Sequence, residues 1–205
     1  MYQQVIMTPP RGCPPPLFWL GLALGCAGAL AALQLPYVNW HRVAAPVDAR
    51  PLVIRHDAKG DGRFAAPRSG GRSHRGIDLE AELDSPVRAI RSGTVVQVGE
   101  HRGLGRFIEV EHRGRLRSVY AHLNEVRVEP GARVRQGQLI GTVGKSGNAR
   151  HPSILPHLHL ELAKRGELID PQTLGLEISD EIPVEREASS ANASVESSEE
   201  TRGGE

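Results

Sequence analysis

From about Arg50 to Gly175 the chain alternates short apolar runs with glycine-containing turns. Ser92–Gly99 (SGTVVQVG) is an apolar run closed by glycine, and Phe107–His112 (FIEVEH) has strand composition. The stretch His112–Arg115 makes a turn, and Leu116–His122 (LRSVYAH) returns as a second strand that His122 ends. Val134–Gly144 has the same strand character. Short strands at regular spacing predict a mainly β, antiparallel sheet domain. Residues 51–175 are enough to close a core without metal or disulfides. Apart from residues 17–35, no helical pattern of twelve or more residues is present.

The two ends differ from this middle. Residues 17–35 (LFWLGLALGCAGALAALQL) carry no charge, with Gln34 the only strongly polar side chain, after a stub at 1–16. At the helical rise this segment reaches about the ~30 Å of a bilayer core. It has no polar face to offer water, so it reads as a membrane segment. A retained signal-anchor is the first reading. A cleaved signal peptide is the second, because Ala29-Leu30-Ala31 has the small-x-small form of a cleavage site. A lipoprotein is the third, from Ala23-Leu24-Gly25-Cys26, which fits the lipobox poorly. Arg42, Arg50 and Arg55 follow the segment while only Arg11 and the terminal amine precede it, so counting positive charge alone would put the domain in the cytoplasm. The chemistry below argues for the opposite side. Residues 36–50 read as a linker, and residues 176–205 as an acidic, Ser-rich tail that cannot bury enough surface to offset its ordering entropy.

The net charge of +1 hides this asymmetry: residues 177–205 hold nine acidic side chains against Arg186 and Arg202, a net of −7, so residues 1–176 carry +8. Gly (23) and Pro (15) are plentiful and aromatics scarce, which disfavours a helical bundle. Both cysteines, Cys13 and Cys26, lie at the N-terminus, so the rest of the chain holds neither a disulfide framework nor a thiolate metal site. Any metal must be bound by histidine and carboxylate.

Four of the nine histidines fall in a pattern. In Pro156-His157-Leu158-His159-Leu160-Glu161-Leu162 strand alternation puts His157, His159 and Glu161 on one face and the leucines on the other. Pro156 suits the first position of a strand. His74 and Asp78, four apart, share a face of a helix or a strand, and the glycines around them make helix the poorer choice. His122 completes the group. Two histidines and one carboxylate with an open fourth position make a catalytic zinc sphere, in which bound water has a pKa of ~7. A neutral imidazole beside that water can take its proton, and a second can steady the tetrahedral intermediate. The residue types and spacing point to hydrolysis of an amide.

His74-x-x-x-Asp78, Tyr120-x-His122-Leu123 and Pro156-His157-Leu158-His159 resemble the three signature blocks of the lysostaphin-type (LytM-like) zinc endopeptidases, which cut peptide bonds in bacterial peptidoglycan. Intervening stretches match as well, among them Asp84–Ala89, Ser92–Val95, Gly103–Gly105, Val128–Gly131, Val134–Gly137 and Ile140–Gly147. The resemblance covers residues 57–171. It implies one zinc (Zn2+) per chain on His74, Asp78 and His159, with His157 as general base. His122 would orient water or stabilise the intermediate. The implied fold is an antiparallel sheet with the site in a groove along it (the duplicated hybrid motif).

There are departures. Eight residues, Asn148–Leu155, separate Gly147 from Pro156, more than the usual short turn, and this loop could narrow the groove. Leu160 stands where an aromatic is more usual, and no tyrosine before His74 can be assigned as an extra oxyanion donor. His56, His101, His112 and His151 have no partner at metal spacing and read as surface or loop histidines, and Asp57–Gly62 reads as a turn. Arg113, Arg115 and Arg117 read as a solvated strand face. The expectation is a monomeric peptidoglycan hydrolase of the cell envelope. It would be anchored in the inner membrane with its domain in the periplasm, or exported after signal cleavage, and would not bind nucleic acid. The alternative is a non-hydrolytic wall-binding or amidase-regulating module on the same fold, its groove blocked by the long loop. A carrier domain is the weakest reading, since no lysine sits in a suitable hairpin and a phosphocarrier has no use for Asp78.

Overall fold

The alternation along the chain becomes a sheet in a computed structural model that describes Tyr37, Asn39 and residues 42–179. Five two-residue strands come first: β1 (Leu52–Val53), β2 (His56–Asp57), β3 (Gly60–Asp61), β4 (Pro67–Arg68) and β5 (Arg72–Ser73). The central sheet has nine strands: β6 (Gly76–Glu80), β7 (Pro86–Arg88), β8 (Gly93–His101), β9 (Gly105–His112), β10 (Leu116–Val126), β11 (Arg133–Val134), β12 (Leu139–Val143), β13 (His157–Lys164) and β14 (Glu167–Ile169). A last short strand, β15 (Ile178–Ser179), pairs in parallel with β1.

All pairings within the nine-stranded sheet are antiparallel. The longest strand, β10, organises it. Along one edge it pairs with β9; along the other its first half pairs with β13 and its second half with β12. β13 in turn pairs with β6 and β14. Because strand side chains alternate, one face of β13 sends Leu158, Leu160 and Leu162 into the core, all fully buried. Ile77 and Leu79 of β6, Ile108 and Val110 of β9, and Tyr120 and Leu123 of β10 join the same cluster. The opposite face is left for polar groups, and the candidate site lies there.

The expected antiparallel β domain is therefore present, with local differences. The single strand expected over 134–144 is two, because Gly137 at φ +76° and the bond from Gln138 N to Arg135 O (3.0 Å) make a turn between β11 and β12. β10 runs past His122 to Val126 rather than ending there. Residues 176–179, assigned to the tail, pack on the domain: Leu176 is buried and β15 extends the chain along β1. The membrane segment expected at 17–35 and residues 180–205 lie outside the described residues. Among the described residues, no helix is long and apolar enough to cross a membrane.

His112, read as a surface histidine, is buried. Its strand neighbours Val110 and Leu116 point inward, and so does its ring. Nδ1 donates to Ser92 O (3.1 Å), which leaves Nε2 to accept from the Ser118 hydroxyl at 2.8 Å. Ser118 is also hydrogen-bonded to Tyr120, whose hydroxyl oxygen accepts from Ile90 N at 2.9 Å. This network pairs the buried side chains of His112, Ser118 and Tyr120, and a buried polar group left unpaired costs about 1–3 kcal/mol. Burial lowers the His112 pKa below its ordinary 6.5, with the Arg91 charge adding to the effect and the Ser92 bond opposing it. The folded chain thus resists a proton that the unfolded chain accepts below pH 6.5. Stability present above that pH is lost as pH falls toward the folded value. The stability gap between the wild type and His112→Asn should therefore be largest near pH 7.5 and shrink by pH 5, as read from paired denaturant unfolding curves.

Candidate active site

The pairing of β6 with β13 sets the site. His159 lies directly opposite Asp78, and His157 opposite Glu80. His74 sits two residues before β6 and donates from Nδ1 to Arg63 O at 2.8 Å. These elements bring three atoms together: His74 Nε2 and His159 Nδ1 are 3.0 Å apart, and each faces Asp78 Oδ1, at 3.1 and 2.7 Å.

His122 reaches the site by another route. On β10, Val119 and Ala121 pair with Glu161 and His159 on the cleft face, while Tyr120 is in the core. Strict alternation would send His122 to the core beside Tyr120. Instead the register slips between Tyr120 and Leu123, and His122 takes a left-handed φ of +62°. Such a bulge re-aims a side chain. The imidazole turns into the cleft, with ring centroids 4.9 Å from His157 and 5.6 Å from His159. Two bonds hold the bulge: His122 N donates to Leu104 O (2.8 Å), and His122 Nδ1 donates to Ser146 O (3.0 Å). Gly105 makes the second possible, since a Cβ there would lie 2.4 Å from the Ser146 carbonyl carbon.

All four rings have their outer nitrogen occupied. His74, His122 and His157 donate Nδ1–H to the carbonyls of Arg63, Ser146 and Leu155 (2.8, 3.0 and 2.7 Å). His159 offers Nε2 to Glu161 Oε1 at 3.3 Å, and Glu161 is clamped by Arg75 at 3.2 Å. A carbonyl only accepts, so the outer nitrogens of His74, His122 and His157 carry the proton, and their inner nitrogens keep a lone pair when the ring is neutral. His159 instead faces a carboxylate at each nitrogen, and its Nδ1 keeps a lone pair only when a metal replaces the proton there. For His74 Nε2 and His159 Nδ1 those lone pairs converge with that of Asp78 Oδ1. Their spacings approach the roughly 3.3 Å between neighbouring ligand atoms of a tetrahedral zinc. Three lone pairs without a shared cation repel one another, so this donor set fits a metal ion. Outer partners of this kind are what fix a ligand histidine's tautomer and orientation.

The electrostatics agree. Burial pushes the Asp78 carboxyl up, but the hydrogen bond from His159 and the His74 ring beside it outweigh that and hold the group well below the usual carboxylate range. Burial pulls His159 down, yet its bonds to Asp78 and Glu161 raise it to about 9, so without an ion a proton here supplies the missing positive charge. Metal binding must displace that proton. Burial lowers His157 to about 4, and burial together with the His157 and His159 charges lowers His122 to about 3. Both are neutral at pH 7.

The five predicted residues His74, Asp78, His122, His157 and His159 line one cleft of about 1330 Å³. Arg68, Arg72 and Arg75 line it from the segment before β6, Phe107, Glu109 and Val119 from the sheet, and Asn148, Ala149 and Ile154 from the long loop. The loop contributes lining, and the histidines remain on the cleft surface. His101 is exposed at the cleft, His151 is exposed and outside it, and His56 lies 3.5 Å from Asp61. The sequence patterns assign no role to Arg55, Asp57 or Ser146, yet Arg55 bonds to Asp78, Asp57 meets Arg55 and Leu155 N, and Ser146 O accepts from His122. Asp57–Gly62 does form the expected turn, with Asp57 Oδ1 accepting from Lys59 N (2.8 Å), but the other Asp57 oxygen reaches toward the site.

Residues 72–171, which contain all five, match the model of Peptidase family M23. The catalytic domain of the prophage-encoded M23 protein EnpA from Enterococcus faecalis superposes with a TM-score of 0.51 at 32% identity, covering 64% of this chain and 97% of that one. The chain belongs to peptidase family M23. Among its relatives it is 36% identical over 133 residues to the lipoprotein NlpD/LppB homolog of Pseudomonas aeruginosa, covering 62% of this chain and 42% of that protein. It is 33% identical over 105 residues to the peptidoglycan DD-endopeptidase ShyC of Vibrio cholerae, covering 51% and 23%. The M23 chain thus spans less than half the length of either relative.

The left-handed backbone at His122 stores strain that glycine would not carry. His122→Gly should be more stable than His122→Ala by about 1 kcal/mol, as measured by denaturant unfolding of the metal-free chain.

Proposed function

We propose that this chain is a zinc-dependent endopeptidase that hydrolyses peptide bonds in the stem or cross-bridge peptides of bacterial peptidoglycan. The observation that carries this reading is the meeting of three donor atoms, spaced so that they could hold a metal ion, with two further imidazoles in one cleft. Membership of the M23 family and similarity to a peptidoglycan DD-endopeptidase support the substrate class.

His74 Nε2, Asp78 Oδ1 and His159 Nδ1 would hold the zinc, one per chain. The ion would supply Lewis-acid chemistry, lowering the pKa of water and polarising the scissile carbonyl. His157 acts as general base. Its Nδ1 proton is committed to Leu155 O, its Nε2 lone pair lies 3.9 Å from Asp78 Oδ1, and burial keeps it neutral and able to accept. Once protonated at Nε2, it can deliver that proton to the leaving amine. His122, with Nδ1 held by Ser146 O, directs Nε2 at the same space and orients the attacking water or steadies the tetrahedral intermediate. An extended peptide would lie in the cleft that Phe107 and Val119 help to line. We place the protein in the cell envelope as a monomer, with residues 17–35 as a signal-anchor and the catalytic domain outside the cytoplasmic membrane.

Incubation of the purified chain with isolated peptidoglycan, with and without a zinc chelator, should release fragments with new peptide termini only when chelator is absent. Fragment masses identify the bond. His159→Ala and Asp78→Asn should lose the metal, measured as zinc per chain. His157→Ala should keep it while activity falls by about 10²–10⁴-fold. Zinc-loaded protein that binds wall fragments but cuts nothing would move the assignment to a non-hydrolytic module.

A further inference from the structure

Arg55 precedes the stretch that matches the family and belongs to no motif, yet it is only 4% exposed and is joined directly to the site. Its backbone is tied to Asp78 directly by one hydrogen bond and through Gly62 by two more. Arg55 N donates to Asp78 O (2.8 Å), Gly62 N to Arg55 O (2.9 Å), and Asp78 N to Gly62 O (2.9 Å). Gly62 permits this close approach, since a Cβ there would lie 2.7 Å from Arg55 O and 2.9 Å from Asp78 Cβ.

The side chain then bridges two carboxylates. Arg55 Nη2 donates to Asp78 Oδ2 at 2.8 Å, the oxygen turned away from the histidine pair, and Nη1 lies against Asp57 Oδ2. The same Asp57 oxygen accepts from Leu155 N at 3.0 Å, and Leu155 O accepts from His157 Nδ1 at 2.7 Å. The path therefore runs from Asp78 through Arg55 and Asp57 to the end of the long loop, and from there to His157. Arg68 Nη2 also faces Asp78 Oδ2, at 3.6 Å, too far for a hydrogen bond of normal strength.

A carboxylate has two equivalent oxygens and rotates freely unless one is held. With Oδ2 occupied, Asp78 presents only Oδ1 to the histidines. Two different nitrogens of the guanidinium meet the two carboxylates, Asp78 by a hydrogen bond and Asp57 by ion pairing alone, whereas a lysine ammonium is a single point charge. The pairing is buried on all sides, with side-chain exposures of 5% for Arg55, 7% for Asp57 and 4% for Asp78, so loss of one partner leaves an uncompensated charge in the interior.

We infer that the buried Arg55–Asp57 pair is a positioning device: it sets Asp78 as a one-oxygen metal ligand and, through Leu155, holds His157 in register with it. The inference rests on the zinc reading above. Its test is the zinc affinity of the full chain, measured by competition with a chromophoric chelator, with the melting temperature of the metal-free protein as the control for folding.

Arg55→Met and Arg55→Lys should each weaken zinc binding by about 10–100-fold, the range for loss of a partner behind a metal ligand. Arg55→Lys keeps the charge and serves if Arg55→Met does not fold. Asp57→Asn should weaken binding too, and Arg55→Lys/Asp57→Asn should lose no more than Arg55→Lys alone, because the two residues act as one unit. Folded Arg55 variants that bind zinc as tightly as wild type would overturn the inference, as would losses that simply add in the double variant. A wild-type chain that takes up no zinc would instead overturn the metal reading, and that result is visible without any variant.

Discussion

The antiparallel pairing of β13 with β6 is the constraint on which the rest depends. It puts His159 across from Asp78, the closest contact between the three converging donor atoms. It also divides β13 between two environments, three fully buried leucines on one face and His157, His159 and Glu161 on the other. A slip of one residue would exchange the faces, burying the imidazoles among apolar side chains and turning the leucines into the cleft. The hydrophobic core and the site are thus fixed by the same register, and stability and chemistry cannot be separated along this strand.

Around that register the charges are layered. The inner atoms are His74 Nε2, His159 Nδ1 and Asp78 Oδ1. Behind them stand carbonyls and carboxylates that fix tautomers, and behind those stand Arg55 and Arg75, which hold Asp78 and Glu161. A buried carboxylate is tolerable here because every oxygen has a partner. Burial has the opposite use at His157 and His122, keeping both rings uncharged where the proposed mechanism needs a proton acceptor. The strain at His122 belongs to the same design, since a left-handed bulge in the middle of β10 is what turns this ring out of the core.

The five central residues all lie within the stretch that matches the family, and the described fold shows how the long loop meets them. The Asn148–Leu155 loop is not a loose cover. Asn148 N donates to Gly103 O at 2.9 Å at one end, and Asp57 receives Leu155 N at the other. Tied at both ends, the loop lines the cleft that the histidines share. Its length shapes the groove while its ends keep His157 and Ser146 in place.

Much of the site was legible in the chain because short-range periodicity is a local property. Alternation along 156–162 separates the leucines from the histidines, and the apolar runs identify the strands of an antiparallel domain. Cysteines confined to the N-terminus leave histidine and carboxylate as the metal donors. Other features follow from contacts between residues distant in sequence, which no local pattern encodes. His112 looks like a turn histidine and is buried, because Ser92 and Ser118 are brought to its two nitrogens by neighbouring strands. His122 faces the cleft only through a register slip, and alternation alone would have sent it the other way. Arg55 carries no signal at all until folding sets it between Asp57 and Asp78, separated by two and twenty-three positions. By itself the sequence, through local alternation, sets the faces of the regular strands, though not that of His122. The tertiary structure decided which atoms meet, because hydrogen-bond partners and burial are properties of the folded chain.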